Sequence, residues 1–353
     1  MIRAYLLGIL CLLGGALFLM SSGLTTQSAP LPAIPQKLSD YAFFAGEMAA
    51  QKPVAGVIPY ALNTPLFSDY AEKLRFVKLP AGQAAPYNAK EVLDFPVGTT
   101  IIKTFYYHKD ARKPEKGRQL METRLLIHEE KGWKALAYHW NDEQTEAYLE
   151  VAGGRKKVAW VNEQGKKQKL EYSFPNLNQC KGCHSYEGDL KPIGPSVRQL
   201  NGDHAYETGT HNQLAYWEEN GWLQGLPDQD VPRMAVWNDP ATGSLDERAR
   251  AWLDINCAHC HRAEGPAYTS GFFLDIHQTD PTTWGVRKAP VAAGRGSGGR
   301  TYDIEPGNAD ASILYFRIIS EDPGIMMPEV GRQVVHKEGV ALIREWINQL
   351  SVD

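Results

Sequence analysis

Between about Val92 and Phe174, apolar residues alternate with polar ones and are rich in Thr, Val, Ile and aromatics. That period of two is the pattern of half-buried strands. Thr99 to Tyr107 is the densest such run, and Glu122–His128 and Trp133–Trp140 flank the turn Glu129-Glu130-Lys131-Gly132, which predicts a hairpin. Ala147–Val151, Val158–Val161 and Leu170–Phe174 continue the pattern, punctuated at Gly153-Gly154 and Gln164-Gly165. The expectation is an antiparallel sheet or sandwich of about 110 residues. Before it, residues from about Pro30 to Pro65 read as a Pro- and Ala-containing lead-in with a short helix around Tyr41–Ala50.

After Phe174 the period changes. Ser244-Leu245-Asp246-Glu247 has the spacing of a capping box, in which Ser and Glu satisfy each other's free backbone donors. Leu245, Ala249, Trp252 and Leu253 then recur at helical spacing and lead into Cys257. Further helices are predicted over Ala309–Ser320 and over Lys337–Leu350, where Val340, Ile343, Ile347 and Leu350 share one face. Val291–Arg300, nearly all Gly, Ala, Arg and Ser, reads as a mobile surface loop. The fold class expected is α+β: an N-terminal antiparallel β sheet or sandwich domain, then a mainly helical region.

The chain has 353 residues and a net charge of −4, with no basic run that would mark a nucleic-acid surface. Ala4–Met20 is almost wholly apolar, with Arg3 before it and small polar residues after it, as in an export signal. The run is short for a membrane span, so it reads as a cleaved signal or else an uncleaved anchor. Cys11 lies inside it without the small residue expected just ahead of a lipidated cysteine. The organisation expected is a signal or anchor over 1–29, a β-rich domain over 30–175, a connecting segment over 176–243 and a last domain over 244–353.

Apart from Cys11, every cysteine lies in one of two C-x-x-C-H motifs, Cys180-Lys181-Gly182-Cys183-His184 and Cys257-Ala258-His259-Cys260-His261. Two cysteines three positions apart can bond both vinyl groups of a haem, and the histidine that follows can ligate the iron. The four cysteines could instead bind zinc or form disulfides, but neither chemistry needs a histidine directly after each pair. Two covalent haem c groups are therefore expected: Cys180 and Cys183 with His184 for haem 1, Cys257 and Cys260 with His261 for haem 2. Export fits, because haem c is attached outside the bacterial cytoplasm. His259, between the second pair, is expected to point to solvent. Lys181 and Arg262 are candidates to pair with haem propionates.

Gly324-Ile325-Met326-Met327-Pro328 follows His261 by about 66 residues and supplies a thioether for the sixth position of haem 2. Met327, directly before the proline, is the expected ligand rather than Met326. For haem 1 the expected ligand is Met234, with His204, His211, Met121 and His139 as alternatives and an open iron as another. Trp252 and Trp346 are expected to pack around haem 2, and Tyr216, Trp217 and Trp222 around haem 1.

The run from Leu253 to His261, Pro306-Gly307-Asn308 and Met327-Pro328 resemble a family of secreted bacterial di-haem c-type cytochromes of unassigned role. Pro65-Leu66-Phe67-Ser68-Asp69-Tyr70 and Phe95-Pro96-Val97-Gly98-Thr99 resemble that family's amino-terminal β region, so the likeness spans nearly all the mature chain. Residues from about 244 on also resemble a small helical cytochrome c domain. The resemblance implies a periplasmic electron carrier that meets redox partner proteins, with a parallel β-helix type protein as a partner by association. A di-haem peroxidase-like enzyme is the alternative; it needs one open iron and an acid–base group beside it, for which His204, His211 and Glu207 are candidates. A redox subunit of a larger dehydrogenase complex is the third reading.

Overall fold

The computed structural model describes residues 34–351. The signal or anchor expected over 1–29 lies outside them. Its centre is a six-stranded antiparallel meander: β1 (Val57–Pro59), β2 (Glu72–Lys78), β3 (Thr100–His108), β4 (Arg118–Glu129), β5 (Gly132–Trp140) and β6 (Ala147–Leu149), each paired with the next. The hairpin expected across Glu129–Gly132 is β4–β5. β7 (Gly154–Val161) and β8 (Lys167–Phe174) form a separate two-stranded ribbon. β1 and β2 lie before the region that alternation marks out. In β2 the row that leads to Val77 begins with Lys73 and Arg75, so charge hides the alternation there.

One sheet face carries Ile102, Thr104, Thr123, Tyr138 and Trp140 and is covered by Leu38–Gln51. Thr104 Oγ1 donates to Gln51 Oε1 at 2.6 Å, and the Tyr41 and Tyr138 hydroxyls meet at 3.0 Å. The helix expected around Tyr41–Ala50 is not formed. Short 3-10 turns at Leu38–Tyr41 and Met48–Ala50 flank an extended Phe44–Ala45, because Ala42 and Gly46 adopt left-handed backbone (φ 50° and 70°) that ends a right-handed helix.

The other face has two apolar ends. At one, Val77 and Ile101 join Val197, Leu200, Leu214, Trp217 and Leu223. At the other, Phe105, Tyr107 and Met121 join Val158, Tyr172 and Phe174 of the β7–β8 ribbon. Tyr216, Trp217 and Trp222 thus pack on the sheet's apolar end rather than around the first C-x-x-C-H motif.

The expectation of a mainly helical, cytochrome c-like region carrying two haems after the sheet is overturned. The structure is 24% helical and 27% strand, with a multi-strand sheet. Beyond Phe174 the chain forms short helices joined by long irregular connections and small strand pairs: α1 (Leu177–His184), the hairpin β9 (Asp203–Tyr206) and β10 (Gly209–Asn212), α2 (Gln213–Glu219), α3 (Leu245–Leu253), α4 (Ile313–Ile318) and α5 (Lys337–Gln349). The helix expected over Ala309–Ser320 is cut by extended backbone at Ser312 into a 3-10 turn and α4. Helical periodicity is present only in short windows, and Gly- and Pro-rich sequence between them cannot extend it. The apolar faces of α3, α4 and α5 still bury a common core with Trp252, Leu253, Leu314, Ile343, Trp346 and Ile347.

Candidate functional site

The first motif lies wholly in α1. Pro175 follows the end of β8, and Asn176 with Gln179 forms a capping box: Gln179 N–H donates to Asn176 Oδ1, and Asn176 N–H to Gln179 Oε1, both at 2.9 Å. The N-x-x-Q spacing after a proline is the sequence signal for this helix. The helix puts Cys180, Cys183 and His184 on neighbouring turns. His184 Nδ1 donates to the Lys191 carbonyl at 2.7 Å. A carbonyl can only accept, so Nδ1 holds the proton and Nε2 is left with its lone pair. Burial pushes the His184 pKa down to about 3, with Lys103 acting in the same direction.

The second motif is built differently and arrives at the same tautomer. Ser244 and Glu247 form the expected capping box of α3, and a π turn over Asp254–Ala258 carries the chain into the motif. His261 Nδ1 faces the Phe272 carbonyl at 3.2 Å, which again leaves Nε2 free. Burial lowers the His261 pKa to about 4 and raises that of Cys257 to about 12.

Cys257, Cys260 and His261 line a cavity of about 400 Å³ whose far wall includes Met327, Pro328, Leu314 and Ile318. That volume lies in the usual range for a small-molecule or cofactor site. Its lining is mostly apolar, as a porphyrin requires. Met327 is held from both sides: its N–H donates to the Arg317 carbonyl at 3.1 Å, and Arg332 Nε donates to its carbonyl at 3.0 Å. Met326 is buried but does not line the cavity. Pro290 to Ala293 form another wall, so the glycine-rich loop does not simply wave in solvent. Arg295 pairs with Asp322 at 2.8 Å, and Arg300 Nε donates to the Asp310 carbonyl at 2.8 Å.

The two motifs meet. Cys260 Sγ lies 3.7 Å from the Gly182 carbonyl, and Cys183 and Gly182 line the same cavity as the second motif. Glu187 N–H donates to the Glu264 carbonyl at 2.8 Å, tying together the chains that leave the motifs. The neighbouring Cys260 thiol and His259 pull the Cys183 pKa down, while the same pairing with Cys183 pushes that of Cys260 up. His259 is therefore half-buried at the junction with its Nδ1 unpartnered, rather than pointing to solvent. Arg262 is engaged by Glu91 at 2.9 Å and Glu264 at 2.8 Å, so the protein's own carboxylates hold it; Lys181 is exposed.

A further feature has no sequence signal. Where the two apolar ends of the inner sheet face leave a gap, Arg75, Lys103 and Arg124 stand directly opposite one another across β2, β3 and β4. Lys73, Phe105, Glu122 and His139 form the adjacent row. Arg124 makes a two-pronged pair with Glu122 at 2.6 and 2.9 Å, and Tyr172 also donates to Glu122 at 2.6 Å. Lys73, Lys103 and Arg124 surround the Phe105 ring at 5.9, 5.1 and 4.3 Å. Burial lowers the Lys103 pKa to about 7, with Arg124 and Arg75 adding to it. These strands are far apart in sequence, so no local pattern announces the row.

The remaining candidate ligands are spread over the sheet and its surroundings. His139 stacks on Phe174 with ring centres 3.8 Å apart, and its buried Nε2 has no partner. Met121 is a core residue among Phe105, Tyr107 and Tyr172. Met234 is buried beside Val197–Leu200; its N–H donates to the Arg198 carbonyl at 2.9 Å and its own carbonyl accepts from Asn63 at 3.2 Å. His204 and His211 pair across β9–β10 and pack on Tyr206 and Tyr216, with Glu207 exposed in the turn between them. Met234, His204 and His211 therefore each have partners of their own. The four cysteines outside the leading segment are free thiols, and among the described residues no three His, Cys, Asp or Glu side chains converge as a metal-ion site. Among the described residues no helix is long and apolar enough to cross a membrane.

Compared with family models, curated proteins and solved structures, the chain matches none.

Proposed function

We propose that this chain is an exported di-haem c-type electron-transfer protein that exchanges electrons with redox partner proteins in the periplasm. The observation that carries the reading is the arrangement shared by the two motifs. Each histidine gives its Nδ1 proton to a backbone carbonyl, which frees Nε2 for iron. Each motif has its two cysteines in place beside that histidine.

When bound, haem c supplies a one-electron ferric/ferrous couple. Cys257 and Cys260 would fix the second haem in the apolar cavity, His261 would hold the iron from one side, and Met327 would supply the other ligand. A thioether favours the ferrous state and raises the potential. Arg332 and Arg317 keep the Met327 backbone in place, so the coordination shell would change little between oxidation states. Cys183 and Cys260 lie side by side, so the thioether edges of the two groups would be neighbours and electrons could pass between them inside one chain.

Low-temperature EPR of the purified ferric protein, with a haemochrome assay under denaturing conditions, tests this. Two covalent haems per chain and two low-spin signals are expected. Met327→Ala should turn one signal high-spin and leave the other unchanged. A chain with no covalent haem would refute the proposal, and a wild-type high-spin signal would favour a peroxidase-like enzyme instead.

A further inference from the structure

We infer that the cationic row Arg75–Lys103–Arg124, with Lys73 beside it, is the seat for the two propionate carboxylates of haem 1. This rests on the proposed di-haem reading and adds the haem's orientation on the sheet.

Cations placed directly opposite one another across strands repel, and burying them adds a desolvation cost. An anion seated on the row would offset both costs. Glu122 is already committed to Arg124 and Tyr172. Among the described residues, Lys73, Arg75 and Lys103 form no ion pair with any Asp or Glu. Lys73 Nζ donates only to the Leu66 carbonyl at 3.0 Å, and Arg75 reaches the Lys73 carbonyl at 3.5 Å. The nearest other carboxylate acting on Lys73, Asp69, accepts from Gln333 and Val334 N–H at 2.7 and 3.0 Å. All the cations are half-buried, so the charge is not simply hydrated at the surface.

The row also lies where the first motif would deliver an anion. α1, which carries Cys180, Cys183 and His184, packs against β5, the strand paired with β4, so the Arg124 end of the row is the end near the motif. Arg75 follows Lys103 in the row, on the next strand. A haem bonded through its vinyl edge to Cys180 and Cys183 has its carboxylates at the opposite edge. Laid along the row, those carboxylates would reach towards Arg75 and Lys73, at the end away from Arg124. Arg75 offers a bidentate fork and the lysines point charges.

The test uses full-length, haem-loaded protein. Arg75→Gln, Lys103→Gln and the double variant are compared with Lys131→Gln, an exposed control in the β4–β5 turn. Haem content per chain is measured first under denaturing conditions; two per chain in the wild type supports the parent reading, and none overturns both. Each haem's potential is then titrated. Removing a cation beside a propionate leaves negative charge uncompensated and favours ferric iron. Each single variant should lower one haem's potential by roughly a tenfold change in its equilibrium constant, about 59 mV. The other haem and the Lys131→Gln control should stay put. Redox-difference infrared spectra should show a carboxylate band that shifts in the same variants. Unchanged potentials and bands in both single variants and the double variant would overturn the inference. So would wild-type binding of citrate that disappears in Arg75→Gln without any change in potential, since the seat would then serve a soluble anion.

Discussion

Arg332 is the residue whose loss should be felt both in stability and at the Met327 loop. It is 6% exposed, and its guanidinium donates to the Met327, Ser320 and Arg317 carbonyls at 3.0, 2.9 and 3.3 Å. Arg332→Leu keeps apolar bulk and removes all three donors. Hydrogen bonds from a charged donor contribute about 1.5–3 kcal/mol each, and the acceptors left behind are poorly hydrated. Against this, the variant no longer has to desolvate a guanidinium. The net expectation is a loss of about 3 kcal/mol, read as a lower urea midpoint at unchanged slope. On the proposed di-haem reading, the same variant should loosen Met327, so that the haem held by the second motif shows a high-spin fraction while the other does not. A stability change below about 1 kcal/mol with unaltered spectra would refute the claim that this guanidinium holds the loop.

The packing makes two more outcomes testable. Glu122→Gln removes the partner of Arg124 and the acceptor of Tyr172, leaving the cationic row without its one carboxylate; because Arg124 is partly exposed, a loss of about 2–4 kcal/mol is expected in urea unfolding, and no loss would show the pair to be solvent-screened. His336 accepts from Trp252 Nε1 at 3.0 Å and stacks on Phe67 at 4.2 Å; burial lowers its pKa to about 4, with nearby Glu338 opposing and Lys73 assisting. The folded chain therefore binds this proton less readily than the unfolded one, so stability should fall as pH drops from about 6.5 towards 4, by as much as about 3 kcal/mol, and be constant above that window. His336→Gln should flatten that slope in a pH series of unfolding curves.

The hairpin at Glu129–Gly132, the α3 capping box and the terminal helix are legible because each is a local matter: a period, a turn and a cap within a dozen residues. The two C-x-x-C-H motifs and Met327-Pro328 are equally local as patterns, but the cavity that brings Cys257, Cys260, His261 and Met327 together forms only in the fold. The α1 cap at Asn176 is equally local, but the strand pattern of Leu170–Phe174 runs right up to it and masks the start of the helix. Long-range pairing decided the features that no short stretch announces. β2 is hidden because Lys73 and Arg75 head the row that ends in Val77, where apolar residues are the usual signal. Short helical windows suggest a mainly helical second half, but extended backbone at Ser312 and Gly-rich connections interrupt them. Only the tertiary structure stacks Arg75, Lys103 and Arg124 from three strands, sets Cys183 against Cys260, and turns His259 inward. Those placements depend on which strands pair and which loops close, and such contacts come from burial summed over the whole sheet rather than from any one stretch of sequence.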